Sequence, residues 1–239
     1  MLVQRVMRMA LAIGLLLTLA AGCHGSGKAT EVHETPNLAR GNEWVYVHTY
    51  RSGDEETEMS YEHEVSLEVV GEETVEGRRC WVVQQSWPAP EDRMLLTAID
   101  QETYLPLEKR QEWTQDVKYT MVESLSYEIV RGESLWPLAE GKEIELEQSA
   151  SRDVFYNDVD SGKGLTWTTT ITCCVESVEE VSVPAGTFNC FKIVESRDGV
   201  RARIWWYSEE VGREVRTESL YDDFPSVQPT TTELLSYPG

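Results

Sequence analysis

Acidic and nucleophilic side chains are plentiful in this 239-residue chain, but few stand at spacings that a reaction needs. Its 42 aspartates and glutamates include pairs, such as Glu62 and Glu64 around His63, that could in principle flank a glycosidic bond. Alternation in a strand puts both of these carboxylates on one wet face, so solvated surface is the expectation. Asp158 to Gly164 sets alternate carboxylates in a tight glycine turn, as a site for a hard cation would. Lys163 then follows the glycine, a third acid is missing and Thr169 stands where a closing glutamate belongs, so an acidic turn without metal is expected. His24, His33, His48 and His63 are scattered singly and no C-x-x-C pair is present, which argues against zinc. There is no G-x-S-x-G elbow, no H-E-x-x-H helix and no phosphate-cradling glycine loop. No catalytic residue, metal or cofactor is therefore assigned.

The cysteine with the clearest chemistry is Cys23. Arg5 and Arg8 give a positive start, Met9 to Leu19 an apolar run, and Leu19-Ala20-Ala21-Gly22-Cys23 a small-residue approach to a thiol. A permanent span needs ~20 apolar residues, more than this run supplies. The segment resembles the lipobox of bacterial lipoproteins, with Leu19 one place further out than usual and Ala20 in its place. The resemblance implies a signal helix cut after residue 22, acylation of Cys23 and an exported protein held in the membrane by its lipid. Residues 23–37, small and polar at first, read as a flexible tether. No aspartate follows Cys23, so the outer membrane or cell surface is favoured over an inner membrane.

Formal net charge is −21, and loss of residues 1–22 would remove two arginines and no acid. A phosphate backbone would be repelled, which excludes nucleic acid as the natural partner. The remaining cysteines, Cys80, Cys173, Cys174 and Cys190, are disulfide candidates in an oxidising compartment. Near-mirror pairing about Pro184-Ala185-Gly186 would set Cys190 opposite about Val181, leaving Cys174 roughly 23 Å away along its strand. That excludes a Cys174–Cys190 bridge and leaves Cys80 to Cys173 or Cys174 as the pairing to test.

Period-two alternation runs through the chain, most clearly from Val117 to Ile129, where only Glu123 interrupts an apolar face. Val65-Leu67-Val69 and Ile144-Leu146 repeat it with acids between, one face apolar and one wet. The pattern predicts an all-β protein: a large curved antiparallel sheet, half-barrel-like, of about 12 strands. A weak repeat of ~100 residues divides it, longer than a solenoid unit. Gly41-Asn42-Glu43-Trp44 is answered by Gly141-Lys142-Glu143-Ile144, and Cys80-Trp81-Val82-Val83 by Cys190-Phe191-Lys192-Ile193. The β domain is placed at 38–222, its halves at about 38–130 and 138–222 with a seam near 131–140. Residues 223–239 are expected to be a tail or an edge strand.

Gly41 to Tyr46, the hairpin Val181 to Ile193 and Trp206-Tyr207-Ser208-Glu209-Glu210-Val211-Gly212 resemble landmarks of an uncharacterised family of exported bacterial proteins, sometimes labelled TapB-like. The resemblance implies a strongly curved antiparallel sheet similar to lipoprotein carriers, and no known catalytic residue. Eight tryptophans either fill the interior of such a sheet or line a groove for a lipid or sugar. Trp44, Tyr46, Tyr119 and Trp206 are the candidate ligand-binding residues, and Trp205 and Trp206 must point to opposite faces. The expected function is a non-enzymatic envelope lipoprotein that binds a hydrophobic or extended ligand or an envelope protein; the alternative is a carboxylate-dependent hydrolase of envelope polysaccharide.

Overall fold

The computed structural model describes residues 31–32, 36, 38–52, 59–87, 93–116, 119–156, 159–160, 164–220 and 230–238. Cys23, the leader and most of the tether lie outside them, as does most of the Asp158–Gly164 turn. The strands are β1 (Glu31–Val32), β2 (Glu43–Ser52), β3 (Met59–Val75), β4 (Arg78–Ser86), β5 (Arg93–Asp100), β6 (Pro106–Asp116), β7 (Tyr119–Arg131), β8 (Leu138–Ala139), β9 (Glu143–Tyr156), β10 (Val159–Asp160), β11 (Leu165–Val183), β12 (Gly186–Arg197), β13 (Val200–Ser208), β14 (Arg213–Ser219) and β15 (Thr230–Ser236).

Thirteen of these make one antiparallel sheet, twelve in the order β9-β11-β12-β13-β14-β15-β2-β3-β4-β5-β6-β7 with the two-residue β10 paired on β9. The curvature expected from the alternating pattern goes to completion. β7 pairs with β9 from Met121↔Tyr156 to Arg131↔Glu147, which closes the sheet into a barrel and leaves neither of these long strands with a bare edge. β15 corrects the expected domain limit. The alternating, β-branched run Thr230-Thr231-Thr232-Glu233-Leu234 lies between β14 and β2 as a full barrel strand, not as a tail or edge.

Successive pairings show which side chains share the inner face. Trp81 on β4 meets the Tyr104 ring at 6.5 Å, Tyr104 meets Trp136 at 5.8 Å, and Trp136 meets Tyr207 on β13 at 4.8 Å. β4 and β13 stand five strands apart around the barrel, so side chains that converge in this way point into the lumen. An eight-stranded barrel is just filled by its own side chains, and twelve strands leave space over. At one end that space is plugged by connections. The 100–105 turn throws in Tyr104, and the 132–142 crossing lays Leu135, Trp136 and Leu138 against Ile144, Leu146, Ile193 and Trp205.

The openings of the two halves are built alike. Gly41 N donates to Val69 O and Val69 N to Asn42 O; Gly141 N donates to Val175 O and Val175 N to Lys142 O. Leu38 and Leu138, each three residues before its glycine, are both buried. A bulge follows at Val69/Gly71 in one half and at Val175/Ser177 in the other. The Cys80 and Cys190 thiols lie against the carbonyls of Arg78 and Phe188, two residues back in each case.

Candidate functional site

Below the middle of the barrel the lumen is packed. Trp44 and Tyr46 on β2 both point inward, as candidate ligand residues should, but the fold uses them as core. Trp44 Nε1 donates to Val211 O at 3.2 Å and its ring lies 5.1 Å from the Arg213 guanidinium. Tyr46 Oη donates to Glu214 O at 2.9 Å. Desolvation pushes the hydroxyls of Tyr46, Tyr104 and Tyr207 well above the usual tyrosine range.

Trp206 is on the other side of the wall. It pairs with Lys192 and Arg216, while Trp205 pairs with Ile193 and Thr217 on the lumen face. Period two settles which of the adjacent indoles enters the barrel, and it is Trp205. Outside, Trp206 Nε1 donates to Glu179 Oε1 at 2.6 Å and its ring carries Arg216 at 5.2 Å. The β11–β12 hairpin leans across to reach these strands, Ala185 N donating to Leu234 O on β15 and Phe188 meeting the Tyr237 ring. Tyr119 lies on β7, with its side chain outside the described ones.

From the top of the plug, where Trp205 packs, the lumen wall turns polar. Trp205, Thr217, Thr232, His48 and His63 face one another across successive strand pairs and form one level. Arg203, Ser219 and Thr230 lead, one level higher, towards Tyr50 and Tyr61. His48 Nδ1 and Thr232 Oγ1 are 2.9 Å apart; Tyr50 stacks on Tyr61 at 5.0 Å and lies 5.1 Å from the His63 ring. None of these upper-level residues was singled out for binding in the sequence, since Tyr61-Glu62-His63-Glu64 looks like any solvated strand until the sheet is known to close.

Charge is sorted between the two faces. Glu62 and Glu64 on β3 and Glu143, Glu145 and Asp153 on β9 all alternate to the outside, where they are exposed. The upper lumen face, among the described side chains, carries Lys109, Arg152, Arg197 and Arg203 against Glu195. Glu195 is held by both β12 and β13 neighbours: Arg197 Nε donates to Oε1 at 2.9 Å and Arg203 Nη2 to Oε2 at 2.7 Å. Burial alone would raise its pKa, but the two arginines together hold its carboxyl below the ordinary range.

Three of the candidate cysteines, Cys80, Cys173 and Cys190, are buried free thiols. Cys174 is bridged to none of these three. The bridge expected from Cys80 to Cys173 or Cys174 is therefore not formed. Cys80 points to the outer face with Ala98, whereas Cys173 points into the lumen with Ile144, so their strands present them to different sides. The hairpin register also differs by two residues from the mirror estimate: the turn is tighter, Val183 pairs with Gly186, and Cys190 stands opposite Glu179, with Cys174 opposite Val194.

Among the described residues no group of three or more histidines, cysteines and acids could hold a metal ion. No family model and no curated protein matches the chain. Among solved structures, a crystal structure from Bacteroides fragilis, described as a "putative exported protein with YmcC-like fold", is similar at a TM-score of 0.39 and 11% identity, over 87% of this chain and 99% of that one.

Proposed function

We propose that this chain is a non-enzymatic, exported lipoprotein, tethered to the outer membrane or cell surface through an acylated Cys23, whose barrel holds a ligand in the upper half of its lumen. The observation that carries the ligand-binding part is the division of the lumen. Aromatic and aliphatic side chains, with Arg213 buried among them, fill the lower half, while the level above presents hydroxyls, imidazoles and guanidinium on an inward face. The basic start, apolar run and polar tether of residues 1–37 support export and anchoring. The hydrolase alternative asks for a carboxyl kept protonated as an acid. Asp100 and Glu195, the two buried carboxylates among the described residues, are instead committed to Arg78 and to Arg197 with Arg203.

Cysteine labelling tests the open lumen. Thr217→Cys places a thiol on the polar level, against a background of buried native thiols. A small maleimide should label it in the native protein, and an extract of the source envelope should slow that labelling. A native Thr217→Cys thiol that stays inert, while the unfolded chain labels fully, would show a packed lumen and end the ligand-binding reading.

A further inference from the structure

The polar level has a chemical bias of its own. Glu195 gives one oxygen to each of two guanidiniums, so the Arg197–Glu195–Arg203 set holds two cations against one acid, and the next acid in reach, Glu214, lies 3.5 Å from Arg213. All this sits inside a chain of net charge −21, whose acids alternate to the outside. Cations gathered on one enclosed surface of an acidic protein set up a field that attracts anions, and low-dielectric walls strengthen it.

Two donors on this surface lack acceptors. Trp205 is only 6% exposed, yet its Nε1 has no hydrogen-bond partner. Arg203 Nε, buried beside it, has none either, although the guanidinium lies 5.4 Å over the Trp205 ring. A buried N–H left unpaired is costly, so a small local opening that admits an acceptor oxygen beside Arg203 recovers part of that loss. The Arg203 side chain is enclosed by protein but retains 38% of its surface, which leaves it reachable from the lumen. Guanidinium meets carboxylate and phosphate with matching donor geometry.

We infer that the upper lumen is a receptor site for an anion: it takes a ligand carrying a carboxylate or phosphate group, which docks on Arg203 beside Trp205. The inference rests on the ligand-binding reading above and names the chemistry of its ligand. The inner face of β11 carries Trp167 and Leu165, both exposed, further along towards the same end of the barrel.

The test uses the full chain in nanodiscs of neutral phosphatidylcholine, with octanoate, octyl phosphate and octyl glucoside as probes and tryptophan fluorescence as the readout. At least one anion should bind ten-fold or more tightly than the glucoside, and the stronger of the two tells whether the natural group is a carboxylate or a phosphate. Arg203→Gln should remove that preference, and Arg216→Gln, which alters the outer-face arginine over Trp206, should keep it. Trp205→Phe keeps the ring and deletes the donor, so a several-fold loss for anions alone is expected even if Arg203→Gln proves unstable. Equal binding of glucoside and anions, or an undiminished preference in both lumen variants, would overturn the anion site while leaving a ligand-binding barrel. Binding of none of the three would remove both.

Discussion

Gly132 is the position where one methyl group should do most damage. It sits at φ +120°, where the chain leaves β7 to begin the crossing that carries Leu135, Trp136 and Leu138 into the barrel end. A Cβ there would lie 2.6 Å from Leu146 Cβ, 2.7 Å from Glu145 O and 2.8 Å from Leu146 Cα. Those are backbone or near-backbone atoms of β9, and they cannot step aside as the end of a flexible side chain could. Gly132→Ala therefore carries about 1–3 kcal/mol of backbone strain and about 1–3 kcal/mol of overpacking. Restricting the unfolded chain returns about 0.4–1 kcal/mol. The expected net loss is about 3 kcal/mol, a large part of the ~5–15 kcal/mol of a typical domain.

Gly141 isolates the close approach from the backbone conformation. It has φ +81° and nothing within 4 Å of a Cβ, so Gly141→Ala should cost only about 1 kcal/mol of left-handed strain. Urea unfolding of the two variants, followed by tryptophan fluorescence with equal m-values, measures the difference. Gly132→Ala should also lose near-ultraviolet ellipticity from the Trp136 contacts. Equal midpoints for the two variants would refute the claim that the crossing lies hard against β9.

Three further outcomes are expected. Glu195→Gln should cost about 1–3 kcal/mol at neutral pH, less than a fully buried pair because both arginines are partly exposed. Because the native pKa of Glu195 is depressed, its stabilisation is complete above the ordinary carboxylate range and is lost as pH falls through the native value; urea midpoints below pH 5 should show a shallower pH slope in the variant. Burial pushes the Cys173 and Cys190 thiols up to about 12, so native protein should react with a disulfide reagent far more slowly than unfolded protein, and the stability from keeping them neutral should fade between pH 9 and 12. Cys23→Ala should abolish labelling by an alkynyl fatty acid and release the protein from the membrane fraction; persistent label would place the anchor elsewhere.

The class of fold was legible because its cause is local. Strict alternation at Val65-Leu67-Val69 and at 117–129 can only be satisfied by strands with two unlike faces, and tight turns such as Glu76-Gly77 and Asp198-Gly199 cut the chain into about the right number. The second half was also announced, although the match starts earlier than its glycine: Leu38-Ala39 and Leu138-Ala139 stand one hundred residues apart. What alternation does not carry is long-range closure. The β7–β9 pairing joins strands with the 132–142 crossing between them, and no single-strand pattern states that the two neighbours will also meet edge to edge.

The candidate binding surface was hidden for the same reason. In Tyr61-Glu62-His63-Glu64 the sequence already separates ring from carboxylate, residue by residue, and the structure keeps that separation. Which of the two sets is enclosed depends on the sign of the sheet's curvature, a property of the whole barrel. The aromatics chosen from sequence went astray at this point. Trp44 and Tyr46 were placed on the correct face but at the plugged level, where Arg213 and Tyr104 crowd them, and Trp206 fell to the outer face because its neighbour Trp205 is the one in phase with Tyr207. Once the curvature is known, the alternation becomes an argument about charge. Acids such as Glu62, Glu64, Glu143 and Glu145 on β3 and β9 lie outside because the inner positions are taken by Tyr61, His63, Ile144 and Leu146, and Arg197 and Arg203 on the inner face share the single carboxylate of Glu195.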